Sequence, residues 1–517
     1  MSMSTAIAAL VDSTVGIFAP RRALERRAAR AASEQFGASF RGARQNRLQQ
    51  GWAVSSGSAD YDLLPDLAIL RERSRELLRN DPHAASVVGS LVDNVTGTGI
   101  KPQSAVTAET LGVSEESAAE IRKACERAWH RWAPHADISR RMNFYDIQRA
   151  AIRSIVVNGE AVILPVRVER PGSPYALAME VIEPDRLEAP GQMDQPNGRF
   201  NRRSGVELGK YGQPVAYWIR VSHPGDGIFE RHNDSRHRRI TAFDQDGHKS
   251  ILHLMNNTRP GQTRGEPMLA PALSTFRDLG SWNEAVLVRE RIAACHSMFI
   301  SKDDPYTSAV NRADDTVSAQ RLQEIEPGMI SYLAPGESVT FGNPGSGNSN
   351  NYDQFVMRHL RSIGAALGLP YELVSKDFSQ TNYSSARAAL LEARRVFNRW
   401  QRYLIEHLCT HAYSMVIEEA WLRGEIPFRE FDEHREALTA SRWVPPTFGW
   451  VDPRKEVEAA TLSIQTGLSS LAIEAAAQGR DWEQVLEQQA REKQLRQELG
   501  LQTEPPDKIE ESDEPGA

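Results

Sequence analysis

Apolar positions along this chain keep one period for long stretches and then switch. Residues 61–100 (DLAILRERSRELLRNDPHAASVVGSLVDNVTGTG within them) repeat at three- and four-residue steps. They read as helix, with a start at Asp81-Pro82 and an end at Gly97 and Gly99. A second helix is predicted over 114–133, where Glu115 and Glu116 follow Ser114 and complement the helix dipole. A third runs over 144–157 and stops at Asn158-Gly159. The period then changes to that of strands. EAVILPVRV (160–168), ALAMEVI (176–182), PVAYWIRV (214–221) and SILHLM (250–255) are rich in β-branched and aromatic residues and lie between turn signals. The segment 222–248 is charged and reads as a loop or hairpin. The first half is therefore predicted to be a mixed α+β domain.

The second half returns to helical spacing. Leu269, Leu273, Phe276, Leu279, Val286 and Ala293 predict a long helix over 266–296. Residues 297–349 are polar and end in PGSGNSNN, with a short hairpin expected in 329–341 around Pro335-Gly336. An amphipathic helix then ends at Gly368-Leu369-Pro370, and a polar loop follows from Ser375 to Asn382. Leu390, Ala393, Phe397, Trp400, Leu404, Leu408 and Met415 continue as one helical run of about forty residues, roughly 60 Å long at the α-helical rise. Residues 453–498 are again helical, interrupted at Gly467 and Gly479. The geometry is helix, small inserted module, helix, exposed loop, long helix. That suits a structural or translocation part better than an enzyme.

Composition narrows this a little. A chain of 517 residues suggests about three or four domains. The net charge of −7 carries no overall basic excess of the kind that marks nucleic-acid binding. Charge is uneven at the ends: 20–47 hold eight Arg against two Glu, and the last fifteen residues hold six acids against one Lys. Such blocks read as solvated arms. Cys125, Cys295 and Cys409 are odd in number and widely spaced, with no disulfide framework or zinc pattern. No run of 18 apolar residues is present, so no transmembrane helix is expected.

Candidate chemistry is sparse. GVELGKY (205–211) has the wrong spacing for a phosphate-binding loop. His407 and His411 could share one helix face, but Cys409 lies between them and no acidic third ligand is evident, so a packed or solvated pair is expected. His223, His232, His237, His248 and His253 share one segment at spacings that match no zinc motif. Asp244-Gln245-Asp246-Gly247 lacks the acid that completes a calcium loop and reads as a turn. No nucleophile has an activating context. The expectation is therefore no catalytic residue, no metal and no cofactor. A metal-dependent nucleic-acid-processing enzyme using 223–253, or a structural adaptor without a channel, remain as alternatives.

Six segments carry a resemblance: NDPHAASVVGSLVDNVTGTGI (80–100), VIEPDRLEAP (181–190), TRPGQTRGEPMLAPAL (258–273), LAPGESVTF (333–341), GLPYELVSKDFSQTNYSSARAALLEARRVF (368–397) and FGWVDPRKEVEA (448–459). In this order and spacing the chain resembles the portal proteins of tailed bacteriophages, lambda-type family, over nearly its full length. The most specific positions are Gly261, Gln262, Arg264, Gly265 and Pro267 in one block, and Tyr383, Ser384, Ser385 and Arg387 in the other.

The resemblance implies an α+β subunit of a ring of about twelve copies at one capsid vertex. Its parts would be a basic arm (1–60), an α+β wing (61–265), a first stem helix (266–296), a clip (297–349) and a second stem helix (350–369). A tunnel loop (370–383), a long wing and crown helix (384–430), a helical crown (431–500) and an acidic tail (501–517) would follow. It also implies double-stranded DNA in the channel and docking of the terminase large subunit, then of a head–tail connector. Contacts with major capsid and scaffold proteins are implied too, with a location in the virion and, during assembly, in the host cytoplasm. Lys376, Asp377, Ser379, Gln380, Thr381 and Asn382 would face the channel. On the residues themselves, Arg387, Arg394 and Arg395 read equally as phosphate or intersubunit contacts.

Overall fold

The computed structural model describes residues 56–190, 201–228, 236–245, 247–294, 298–302, 337–341, 352–379, 381–446, 453–478, 480 and 482–500. The basic arm up to residue 55, most of 297–349, Gln380 and the acidic tail lie outside the described residues.

The amino-terminal helices are α1 (Ala59–Leu63), α2 (Leu67–Asn80) and α3 (Pro82–Thr96). Asp81 separates the last two. It ends α2, its carboxylate accepts from the Ala84 amide, and Pro82 opens α3 at a position where no amide is needed. Strand β1 (Lys101–Ser104) and helices α4 (Ala108–Leu111), α5 (Glu115–Trp132) and α6 (Phe144–Asn158) follow. Helix α6 has a full capping box between Asn143 and Asp146 and ends at Gly159, whose φ of 88° suits glycine. Next come β2 (Glu160–Arg167), β3 (Leu177–Ile182), β4 (Asn201–Arg203), β5 (Val206–Leu208), β6 (Pro214–Arg220), β7 (His237–Thr241) and β8 (Leu252–Met255).

These strands make two antiparallel sheets, ordered β3-β2-β8 and β4-β5-β6-β7. In the first, Ile163 lies opposite both Val181 and Leu252. Strand β2 is buried on both faces. Ala161 and Ile163 join the main core with α3, α5 and α6, while Val162 and Leu164 pack with Leu187, Val206, Tyr217 and Ile219 in a second core. A continuous apolar run in place of strict alternation follows from that position. The main core is aromatic at its centre. Trp129 contacts Trp132, Phe144, Tyr413 and Trp443 at centroid distances of 4.9–5.7 Å.

The second half comprises α7 (Leu273–Ala294), β9 (Met298–Lys302), β10 (Glu337–Phe341), α8 (Tyr352–Leu367), α9 (Tyr371–Ser375) and α10 (Tyr383–Leu404). It ends with α11 (Thr410–Leu422), α12 (Phe431–Leu438), β11 (Ser441–Val444), α13 (Pro453–Gln465), α14 (Leu471–Ala477) and α15 (Trp482–Glu498). Helices α7 and α8 lie side by side, with Trp282 against Tyr352 and Phe355. Their roots are buried through Phe276, Leu279, Leu360 and Ile363, whereas Leu287 and Val288 further out are about half exposed. Chain direction reverses between them, because the start of α7 and the end of α8 are the buried ends.

The forty-residue run is continuous from 383 to 422, but it contains a π-helical turn at Ile405–Cys409 between α10 and α11. Two readings need correction, and a third lies outside the described residues. The helix expected from 266 starts at Leu273, because Pro267 and Pro271 hold the preceding residues in turns and a short 3-10 stretch. Strand β10 pairs with β9, Phe341 opposite Met298, and the hairpin turn expected at Pro335-Gly336 lies outside the described residues. Strands β1 and β11 pair antiparallel, Lys101 opposite Val444, where neither had been read as strand. Their local sequences, KPQS and SRWV, carry little strand signal.

Candidate functional site

The polar loop after α9 is a closed turn. Lys376 ends α9 in the left-handed region at φ 59°, with its amide on the Glu372 carbonyl. Asp377 accepts from the Ser379 amide at 2.9 Å and the Tyr371 hydroxyl at 3.3 Å. Hydrogen bonds from the Ser379 side chain and amide hold its carboxyl below the usual aspartate range. The Thr381 amide returns to the Phe378 carbonyl, and its hydroxyl reaches Glu372 at 3.2 Å. Asn382 then caps α10 by accepting from the Ser385 amide at 2.8 Å. The Lys376 ammonium bonds to the Ser90 hydroxyl on α3 at 2.5 Å. Lys376, Asp377, Ser379, Thr381 and Asn382 thus do sit together, but mostly bonded inward. The loop's aromatic side chain, Phe378, is 47% exposed.

Beyond the loop, Ser384, Ser385, Arg387, Leu391 and Arg395 are exposed on α10, and Ala393 is the first buried side chain described on that helix. Arg395 pairs with Glu392 at 3.0 Å, both well exposed. Arg394 is half-buried, and Arg387 has no hydrogen-bond or ion-pair partner among the described residues.

The GQTRGEP block has a different role. Glu160, completely buried at the start of β2, accepts from Arg264 (2.8 Å to Nε), Arg71 (2.6 Å) and the Gly265 amide (2.8 Å), and pairs with His253 at 2.9 Å. Burial alone would push this carboxyl up. Arg264 and Arg71, with the His253 hydrogen bond, overcome that and hold it well below the usual glutamate range. Arg264 also donates to the Pro184, Leu187 and Ser204 carbonyls. Gln262 closes its own loop through the Thr258 amide and the Asn256 and Arg264 carbonyls. Asp60 on α1 accepts from the Thr263 amide and hydroxyl and from Arg203.

Gly261 turns at φ 77°, and Gly265 faces Gly159 so closely that an added Cβ would stand 2.0 Å from the Gly159 carbonyl oxygen. Pro267 follows as the chain enters the turns before α7. This motif ties two sheets, α1 and α2 together. It points to folding, not to contact with a ligand. Reading the sequence did not single out Glu160, Arg71, Asp60 or His253 as one cluster. The signal present was a charged residue placed directly before an apolar strand run.

The histidines of 223–253 do not converge. His223 faces Glu183 at 3.5 Å, His248 lies by Asp244 and Glu418, and His253 is bonded to Glu160. His232 lies outside the described residues. Among the described residues, two triads could place ligand atoms within reach of one metal, Glu183–Asp185–His223 and Glu430–Glu433–His434. Arg75 already pairs with both carboxylates of the first. The His407 ring packs tilted against Tyr403 with centroids 4.3 Å apart, and burial together with Lys249 and His407 lowers the His411 pKa to about 4. Both histidines are half-buried and Cys409 is fully buried.

A buried charge cluster that locks sheets to helices, with an exposed loop at the foot of a long helix, defines a structural part. The sequence profile described as "Phage portal protein, lambda family" matches residues 45–401, well over half of the chain. The chain belongs to this family, and its function is that of a phage portal protein. It is 28% identical over 473 residues to the "Probable portal protein" of Halomonas phage phiHAP-1, covering 89% of this chain and 87% of that one. To the portal protein of Escherichia phage N15 it is 25% identical, covering 87% and 89%. To portal protein B of Escherichia phage lambda it is 24% identical, covering 87% and 88%. Among solved structures, a chain in the neck of an empty gene transfer agent particle, computed with C6 symmetry, is 17% identical. The TM-score is 0.40, with 80% of this chain and 93% of that chain covered.

Proposed function

We propose that about twelve copies of this chain close into a ring at one capsid vertex, and that double-stranded DNA passes through its channel during packaging and ejection. The observation that carries this is the pair α7 and α8, buried at the root and exposed towards β9 and β10. An exposed helix pair of this kind finds its remaining contacts in neighbouring copies. Closure requires a head-to-tail contact whose rotation completes a circle, and obligate interfaces of this class bury upwards of about 2,000 Å².

In this reading residues 61–265 are the wing, 266–296 and 350–369 the stem, 297–349 the clip, 370–383 the tunnel loop, 384–430 the long helix and 431–500 the crown. The clip docks the terminase large subunit and later the head–tail connector. The ring nucleates head assembly with capsid and scaffold proteins, in the host cytoplasm, and stays in the virion. The part is structural, without catalysis, cofactor or metal. Lys376, Asp377, Ser379, Gln380, Thr381 and Asn382 face the duplex as a neutral lining. Strong phosphate binding at each subunit would slow passage, and Lys376 is already engaged by Ser90. Shortening 375–382 is expected to leave rings intact while lowering the packaged DNA recovered per head. Loss of the rings themselves would overturn the loop assignment.

A further inference from the structure

The loop and α10 carry two exposed features that match each other. On the loop, Phe378 projects 47% exposed beside Asp377, whose carboxylate the Ser379 hydrogen bonds hold in its charged form. The loop's described polar groups bond to one another, to α9 and to α3, while the aromatic side chain stays about half exposed. On α10, Arg387, Leu391 and Arg395 stand four residues apart and so form one stripe. Leu391 is 49% exposed, Arg387 has no partner among the described residues, and Arg395 is held by an exposed pair with Glu392. A pair that exposed costs little to rearrange.

We infer that Phe378 of one copy docks on the Leu391 stripe of the next copy's α10, with Asp377 facing Arg387. The aromatic ring covers the leucine, and guanidinium groups at either end of the stripe suit its face. The carboxylate beside Phe378 and the Arg387 guanidinium beside Leu391 supply opposite charges. Both halves lie on one chain, so in a ring the contact repeats head-to-tail from copy to copy. The loops would then form a linked collar, and Arg387 and Arg395 would hold subunits together rather than grip phosphate. This rests on the ring reading above.

The test uses the full-length chain carrying Phe378→Cys and Leu391→Cys together, treated with a short bismaleimide, with each single variant as background. Electron microscopy of the same sample records whether rings are present. Cross-linked ladders rising to the full ring, at least severalfold above either single variant, are expected. Arg387→Asp in the paired-cysteine chain should lower ladder yield severalfold, and adding Asp377→Arg should restore it. Intact rings that give no ladder would overturn this contact and leave the portal reading standing. A cross-link confined to single chains would also overturn it. A chain that stays monomeric would overturn both.

Discussion

Around Glu160, two arginines, a histidine and a backbone amide converge on a carboxylate that water does not reach. Around Asp377, an amide and a tyrosine hydroxyl converge on a carboxylate in an otherwise exposed turn. Both acids are held in the charged form, but the consequences differ. A buried ion whose partner is removed leaves an uncompensated charge, which is costly. An exposed ion regains water. The first arrangement fixes the architecture, and the second shapes a surface that can change without unfolding the subunit. The two most specific family blocks therefore do unlike work, one holding sheets together and the other opening the long helix.

The comparison can be broken at its strong end first. Arg264→Ala is expected to destabilise the fold by about 3–5 kcal/mol, since Glu160 keeps its burial and three carbonyls lose a donor. Thermal unfolding of the variant checks this, and an unchanged Tm would remove the keystone reading. Glu160 also predicts an acid response. Its folded pKa is depressed, so its stabilisation is complete above the unfolded value of about 4.3 and is lost as pH falls from there through the folded value. Asp185, held low by Arg75 against the effect of burial, adds in the same direction. Wild type should thus lose Tm more steeply than Glu160→Gln below about pH 4.3.

Smaller effects sharpen the contrast. Gly265→Ala must push the Gly159 backbone aside and should cost about 1–3 kcal/mol, read from denaturant midpoints. Thr381→Val removes the hydroxyl bond to Glu372 and is expected to cost about 0.5–1.5 kcal/mol at most, seen as faster amide exchange in 377–382 without a large Tm change. Arg402→Ala should leave Tm unchanged, because the Arg402–Glu406 pair is exposed on the helix surface.

Much of the secondary structure was legible because it is locally encoded. Asn143 and Asp146 cap α6, Gly159 ends it, and Phe397, Trp400 and Leu404 keep one face of the long helix apolar. The double burial of β2 shows in its unbroken apolar run. What was not legible depends on distance along the chain. Glu160 meets Arg264 across 104 residues and Arg71 across 89, with no local mark of either meeting. Strands β1 and β11 define each other only by pairing. The short β4 and β5 do the same within a sheet whose longer strand β6 was recognised. At the loop, the turn between two helices was legible, but the sequence did not reveal that its described polar groups turn inward and leave Phe378 half exposed.

The central claim, that this subunit works as one segment of a closed channel, is most directly tested by electron microscopy of the purified full-length chain with averages viewed end-on. The account predicts closed rings with a central opening wide enough for a DNA duplex. A uniform monomer or compact dimer that persists across salt and protein concentration would contradict it.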